Sequence, residues 1–174
     1  MPQSGRTEEA KNTALLGGFC LFLSALEYLI PKPLPFLRIG LANLPLLLAL
    51  DLLSFKYFIF LTLIKILGQA ILSGTLISYV FVFSLAGGSI SSGSMYLLRR
   101  ILGSKRIGYI GVSVTGAFFS NWAQLLLAGF FVFGESVRFL IPPFLAVGTI
   151  TGAALGLFCE AFTARSRWYR ERTL

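Results

Sequence analysis

A lysine and a glutamine lie one helical turn apart inside an apolar stretch of the chain. The stretch LIKILGQAILSGTL covers residues 63–76 and carries Lys65 near its start and Gln69 four residues later. Side chains four residues apart share one face of a helix, so both can reach the same cavity. An ammonium group inside a bilayer costs at least about 2.5–3.5 kcal/mol and is normally paired or functional. The pair predicts a buried site for an anion, with a Lys65–Glu27 ion pair as the alternative.

Other apolar stretches also carry polar side chains, and their expected depths coincide in the outer half of a helix bundle. Asn121 and Gln124 lie nearly on one helix face. In a helical second span, Asn43 would lie about 7–8 Å from Arg38 along the helix axis. The residues predicted to bind a ligand are Glu27, Arg38, Asn43, Lys65, Gln69, Asn121, Gln124 and Arg138. The cations would supply charge and the amides would orient the ligand. Asn and Gln also serve in membranes as interhelical hydrogen bonds, which is the alternative for Asn121 and Gln124.

The elements that must position these residues are membrane-spanning helices. The 174-residue chain is 56% hydrophobic and only 13% charged, whereas soluble domains carry about 25% charged residues. Its apolar runs are long enough to cross a hydrocarbon core of about 30 Å. The composition predicts an all-α integral membrane protein with one membrane domain, residues 1–174. Six spans are expected, at about 13–30, 39–54, 57–76, 77–98, 107–132 and 139–163, followed by a short basic tail at 164–174.

The distribution of basic residues predicts the orientation of these spans. With six spans, eleven of the fifteen Lys and Arg residues fall on the side of the two termini, which the positive-inside rule places in the cytoplasm. The protein would then be a multi-pass protein of the plasma membrane. The net charge of +8 is explained by topology, so no nucleic-acid partner is expected. Trp168 and Tyr169 in the tail are predicted to lie at the lipid headgroups. The third and fourth spans meet with almost no charged loop, so five spans is the alternative count.

Several stretches together resemble a known membrane family. They are LRIGLANLPLLLAL (37–50), KILGQAILSGTL (65–76), FSLAGGSISSGSMYLLRR (83–100), IGVSVTGAFFSNWAQLLLA (110–128) and PPFLAVGTITGAALG (142–156). Over about residues 13–160 the chain resembles the Gx transporter family, often labelled heptaprenyl diphosphate synthase component I. That family is in turn similar to the substrate-binding S-components of energy-coupling factor (ECF) transporters. Those six-helix proteins hold a vitamin-like ligand near the outer face and dock on a transmembrane coupling protein.

Two features of the chain fit the likeness to S-components. The proline-stiffened stretch PKPLPFLR at 31–38 occupies the position of the loop that covers the ligand. Ala10, Ala14 and Gly18 are spaced four residues apart, as in helices that approach one another closely. The resemblance implies that these small residues dock a coupling protein, which would work with ATPase subunits. Packing inside the bundle is the alternative for them.

The synthase label can be tested against the composition. Prenyl diphosphate synthases hold magnesium through clusters of aspartates, because a hard cation that bridges diphosphate needs carboxylate oxygens. This chain has a single aspartate, Asp51, and no histidine. It also has no GxxxxGK[ST] phosphate loop. The sequence therefore predicts no metal site, no cofactor and no catalysis by this chain alone.

The leading interpretation is a membrane substrate-binding transport component, similar to ECF S-components, for a small vitamin-like or anionic organic ligand. Partner subunits would supply the energy. The alternative is a non-catalytic membrane subunit of an isoprenoid, quinone or flavin-linked redox system that binds a lipidic tail between helices. An ion channel or exchanger is disfavoured because the spans contain few acidic residues.

Overall fold

The protein is described by a computed structural model that covers residues 2–30, 40–104 and 106–169. Six α-helices occur in this part of the chain: α1 (Pro2–Leu29), α2 (Leu44–Ala49), α3 (Phe55–Leu72), α4 (Tyr79–Leu102), α5 (Tyr109–Ala128) and α6 (Ile141–Arg165). A 3-10 turn, Leu41–Asn43, leads into α2, and a π-helical turn with a second 3-10 segment, Gly129–Phe139, joins α5 to α6. No strand occurs in the described ranges, and the all-α prediction is confirmed.

Five helices are long and apolar enough to cross a membrane, which is compatible with a multi-pass membrane protein. They are Thr7–Leu29, Phe55–Leu72, Tyr79–Leu102, the α5 segment Tyr109–Phe139, and Ile141–Arg165. The predicted third and fourth spans are separate helices, α3 and α4. The predicted count of six spans is not confirmed.

The predicted and observed numbers of long helices differ because of the predicted second span, residues 39–54. Its described part forms only the Leu41–Asn43 turn and the six-residue α2, which is about 9 Å long. Gly40 adopts a left-handed conformation with φ 87°, and Pro45 lies in the first turn of α2. Every residue of α2 is buried in the protein. An apolar run this short is more typical of a protein core segment than of a lipid-exposed helix.

The chain nevertheless returns to its starting end between α1 and α3. The Ser54 hydroxyl, just before α3, donates a hydrogen bond of 2.7 Å to the Glu9 carboxylate in the first turns of α1. Three residues earlier, Asp51 contacts Arg99 at the end of α4 and Tyr109 at the start of α5. Four helix ends therefore lie together: the starts of α1, α3 and α5 and the end of α4. We call this end of the bundle the basic end. Helices α1 and α3 therefore start at the same end of the bundle, as the sequence predicts, although no sixth long helix connects them in the described ranges.

The helices pack in two groups that meet at a looser seam. Helix α1 packs along α3, and α5 packs extensively against both α4 and α6, whereas α3 and α4 contact each other much less. Small residues allow the close contacts: a Cβ atom at Gly156 in α6 would overlap the backbone of Ile110 in α5. The boundary between α3 and α4 is called the α3–α4 seam below.

Candidate functional site

A polar cavity of about 50 Å³ lies between the two groups of helices. Asn43, Lys65 and Gln69 line it from the α2–α3 side, and α4, α5 and α6 line the other side. The full lining is Gly40, Asn43, Lys65, Gln69, Ser84, Gly88, Ser91, Met95, Ser113, Ala117, Ser120, Asn121, Gln124, Gly148, Thr151, Gly152 and Leu155. We call this space the central cavity. It brings together five of the eight residues predicted to bind a ligand.

Lys65 is the charged residue among those that line the central cavity. Its side chain is buried, at 5% exposure, near the middle of α3. Its ammonium donates a hydrogen bond to the Asn43 amide oxygen, across the boundary between α3 and the turn before α2. The lining includes no carboxylate. The cavity therefore places the Lys65 side chain among lining residues that are otherwise uncharged.

Glu27, the predicted alternative partner of Lys65, has a described contact with the turn before α2, and its pairing with Lys65 stays a prediction. It is 1% exposed, and its Oε1 accepts a hydrogen bond of 3.2 Å from the Gly40 backbone N–H. This contact joins the end of α1 to the left-handed turn that precedes α2. The described hydrogen bonds of Lys65 and Glu27 thus go to different partners, Asn43 and Gly40.

Asn121 joins two helices as well as lining the cavity. Its amide Nδ2 donates a hydrogen bond of 3.0 Å to the Phe144 carbonyl oxygen near the start of α6. A Cβ atom at Gly148 would overlap that amide nitrogen, so the glycine leaves room for the bond. This arrangement is the interhelical hydrogen bond predicted as the alternative role.

Gln124 lies one turn further along α5 and differs from Asn121 in its partner. Its Nε2 donates to the Ser120 hydroxyl at 3.1 Å, within the same helix. A Cβ atom at Gly87 in α4 would overlap the Gln124 amide nitrogen. The side chain thus fills a space that α4 leaves for it. Gln69 in α3, 8% exposed, faces the same cavity from the other side of the seam.

The remaining predicted residues lie away from the central cavity or outside the described residues. Arg138 is exposed on the segment before α6, with its guanidinium carbon 5.3 Å from the ring centroid of Phe139. Arg38 lies outside the described residues, as does the predicted covering stretch 31–38. Arg38 and Arg138 stay predictions as ligand-binding residues.

The three small residues predicted to dock a partner are exposed on α1. Ala10, Ala14 and Gly18 all face outwards, and no atom lies within 4 Å of a Cβ placed at Gly18. Packing inside the bundle, the alternative for them, therefore does not account for their spacing. The partner itself stays a prediction.

The sequence reasoning missed the hydroxyl groups of the cavity. Ser84 and Ser91 in α4, and Ser113 and Ser120 in α5, line it at spacings of seven residues. Seven residues make two helical turns, so each pair shares one face, and this spacing could have revealed them. Ser91 is 1% exposed, and its hydroxyl has no hydrogen-bond partner within the described part of the chain. Such a group is costly unless water or a ligand satisfies it.

A second polar cluster, also missed, holds the basic end together. Arg99 donates to Asp51 through two nitrogens and to the Ile107 carbonyl oxygen at 2.6 Å. The Tyr109 hydroxyl donates to Asp51 at 2.7 Å and lies 2.6 Å from the Tyr169 hydroxyl. We call Asp51, Arg99, Tyr109 and Tyr169 the basic-end cluster.

Asp51 stays ionised in this cluster. Burial acts to raise its pKa, but hydrogen bonds from Arg99 and Tyr109, together with the Arg99 charge, outweigh burial. The pKa of Asp51 is therefore held below its ordinary value. Tyr169 is 5% exposed, so the prediction that it lies at the lipid headgroups is wrong. Its hydroxyl is drawn into the protein by Tyr109 and by the Leu48 carbonyl oxygen at 3.3 Å.

Comparison with known families identifies the chain. The family model described as heptaprenyl diphosphate synthase component I matches residues 16–162, most of the 174 residues. The chain belongs to this family. No curated protein and no solved structure matches it.

The family description agrees with the label expected from the sequence. As a component I of a synthase, a family member is a membrane-associated part of an assembly that implies a partner subunit. All the residues that line the central cavity fall inside the matched range. The further likeness to ECF S-components stays a prediction.

Proposed function

We propose that this component I family member is a non-catalytic membrane subunit that binds the anionic end of a small organic molecule in the central cavity. The observation that carries the proposal is an enclosed polar cavity in which the buried side chain of Lys65 lies together with several amides and hydroxyls. A buried cation favours a nearby anion, because the low dielectric strengthens their attraction. Asn43 holds the ammonium in place as a neutral hydrogen-bond acceptor.

The size of the cavity limits what enters it. About 50 Å³ has room for roughly two water molecules, since each takes about 30 Å³ in the liquid. Sites that enclose a drug-sized ligand measure about 300–1,000 Å³. The central cavity therefore accommodates one carboxylate-sized or phosphate-sized end of a ligand, with the rest of the molecule outside it.

Transport is the function that this binding mode supports best. A buried cationic cavity between two loosely joined helix groups can take up and release a ligand when the groups shift at the α3–α4 seam. The ligand would be a vitamin-like or other small organic anion, and partner subunits would supply the energy. The exposed row Ala10, Ala14 and Gly18 would contact the coupling subunit.

A second candidate function is favoured by the family description. As a membrane subunit of heptaprenyl diphosphate synthase, the chain would hold a substrate or anchor the catalytic partner at the membrane. Both carboxylate oxygens of Asp51 accept hydrogen bonds within the basic-end cluster. The aspartates that bind magnesium diphosphate would accordingly come from the partner.

Native mass spectrometry tests the shared element of both functions, the anion site. Wild-type protein, Lys65→Met and the control Lys11→Met would be purified in mild detergent and analysed for retained small molecules. Lys11 is a suitable control because it is exposed and paired with Glu8 on the surface. We expect an anionic molecule to remain with wild type and Lys11→Met and to be lost from Lys65→Met. Equal retention in Lys65→Met would contradict the proposal.

Copurification separates the two functions. Coupling and ATPase subunits recovered with the protein would support transport, and a prenyl diphosphate synthase subunit would support the second candidate. If Ala10 and Ala14 form the docking surface, changing both to Leu should abolish recovery of the partner while anion retention survives. Ala146→Leu, at another exposed alanine, is the matched control. Recovery unaffected by the double change would remove α1 as the docking surface.

A further inference from the structure

A groove opens on the other side of the α3–α4 seam, away from the central cavity. Its volume is about 240 Å³, and its walls come only from α3 and α4. The walls are mostly aromatic and aliphatic, with Phe55, Phe58, Ile59 and Leu63 on α3 and Tyr96 on α4. Phe55, Ile59 and Leu63 are exposed. A groove of this kind in a membrane-crossing helix pair faces lipid and suits a hydrocarbon chain.

One hydroxyl in the groove is unsatisfied. Ser92 lines the groove, is 3% exposed, and has no hydrogen-bond partner for its hydroxyl among the described residues. Hydroxyls elsewhere on α3 and α4 differ from it: Thr62 donates to the Phe58 carbonyl oxygen at 2.9 Å, and Ser84 donates to the Val80 carbonyl oxygen at 2.7 Å. A buried hydroxyl without a partner is costly. The occupant of the groove is therefore expected to offer Ser92 a polar atom.

Positive charge marks the basic-end mouth of the groove. Lys56 follows the groove residue Phe55 and is exposed. The Arg100 guanidinium, also exposed, lies 5.9 Å above the ring of the groove residue Tyr96. Eight residues of α4 separate Arg100 from Ser92, about 12 Å along the helix. An occupant with an anionic group at one end would be held at this mouth.

We propose that this groove binds an anionic phospholipid. The phosphate contacts Lys56 and Arg100, an ester carbonyl oxygen accepts a hydrogen bond from Ser92, and one acyl chain lies along the aromatic walls. An isoprenoid diphosphate would satisfy the cations and the walls but has no polar atom along its chain for Ser92, which decides between the two. The site is separate from the central cavity, so it does not depend on the function proposed above.

Lipid retention in native mass spectrometry tests the proposal. Detergent-purified protein would be offered equal amounts of phosphatidylglycerol and phosphatidylcholine. We expect wild type to retain phosphatidylglycerol at least tenfold more than phosphatidylcholine. Gly93→Leu should fill the groove and abolish retention, since Gly93 lines it and no atom lies within 4 Å of a Cβ placed there. Ala154→Leu, at an exposed alanine on α6 outside the groove, should bind as wild type does.

Further variants assign the parts of the lipid and guard against misfolding. Ser89→Leu fills the same groove from an exposed position, so it should reproduce the loss if Gly93→Leu fails to fold. Lys56→Gln combined with Arg100→Gln should remove the preference for phosphatidylglycerol but keep binding of the chain. Unchanged retention in both groove-filling variants would overturn the proposal. So would preferential retention of geranylgeranyl diphosphate over phosphatidylglycerol in a competition, since the occupant would then be an isoprenoid diphosphate.

Discussion

Two cations are buried in the part of the chain that the structure describes, Lys65 in the central cavity and Arg99 in the basic-end cluster, and their surroundings differ. Arg99 is surrounded by groups of its own chain: the Asp51 carboxylate, the Ile107 carbonyl oxygen and the face of the Tyr109 ring, 4.7 Å away. Lys65 donates a hydrogen bond to the Asn43 amide oxygen and lines a cavity together with further amides and hydroxyls. The two side chains are almost equally buried, at 5% for Lys65 and 8% for Arg99. Burial alone therefore does not show whether a cation is structural or serves a ligand.

The two regions differ in the groups that line them. At the basic end the negative charge comes from Asp51, so the cluster is complete and ties α4 and α5 to the segment after α2. In the central cavity the polar lining consists of amides and hydroxyls beside Lys65. Changes at the basic end should therefore reduce stability, and changes at Lys65 should reduce binding.

The largest effect is expected from Asp51→Asn. Removing one partner of a buried ion pair leaves the other charge uncompensated and commonly costs 3–5 kcal/mol. Because the Asp51 side chain is 25% exposed, we expect a loss near the lower limit, about 3 kcal/mol. Thermal unfolding in detergent measures it, with Lys11→Met as the surface control, for which about 0.5 kcal/mol or less is expected. A loss below 1 kcal/mol would mean that the cluster contributes little to stability.

Lys65→Met should show the opposite pattern. The free energy of unfolding should stay equal or rise, because Met fills a similar volume and removes the cost of burying a charge. Affinity for the retained anion should fall at least tenfold, about 1.4 kcal/mol. Isothermal titration with that anion and thermal unfolding measure the two quantities.

A double change with Glu27→Gln checks the interpretation of Lys65. If Lys65 serves a ligand and is not half of an ion pair with Glu27, the two substitutions should affect stability almost additively. Strong coupling in stability, with unchanged anion affinity in Lys65→Met, would make Lys65 half of a structural ion pair. The central cavity would then resemble the basic-end cluster.

Substitutions of Asn121 and Gln124 should have smaller and unequal effects on stability. Asn121→Ala removes a hydrogen bond between α5 and α6 and should destabilise the protein by about 0.6–1.7 kcal/mol, the range for interhelical bonds in membranes. Gln124→Ala removes a bond within α5 only and should cost less. Equal losses in thermal unfolding would show that the bond to Phe144 does not join the helices. A loss of anion affinity in Gln124→Ala alone would assign Gln124 to the binding site.

The smallest effect concerns pH. The folded pKa of Asp51 lies below its ordinary value of 3.8, so its contribution to stability is complete above that value and is lost as the pH falls through the folded pKa. The stability difference between wild type and Asp51→Asn should therefore stay nearly constant from pH 7 to pH 5 and shrink only in stronger acid. A difference that already disappears near pH 5 would mean that burial, not Arg99, dominates the pKa.

Local patterns in the sequence predicted much of the bundle and part of the site. Long apolar runs predict helices because backbone groups in a membrane must be satisfied within the segment, and five such helices are present. Spacing by four placed Lys65 and Gln69 on one face, and both line the central cavity. The same rule would have found the serine pairs spaced by seven. These features depend only on residues close together in the chain.

Other features were decided only by tertiary structure, because they depend on contacts between distant residues. Residues 40–50 are as apolar as a span, but the surrounding helices bury them, so a six-residue helix suffices. Asp51 is a partner of Arg99, 48 residues away, and Tyr169 joins them from beyond the end of α6. No spacing rule reaches across such distances, since the pairing depends on how the helices pack. The sequence by itself therefore determined the apolar helices and the polar face of α3. The packing of α3 against α4, α5 and α6 decided that this face meets amides and hydroxyls, whereas Arg99 meets a carboxylate.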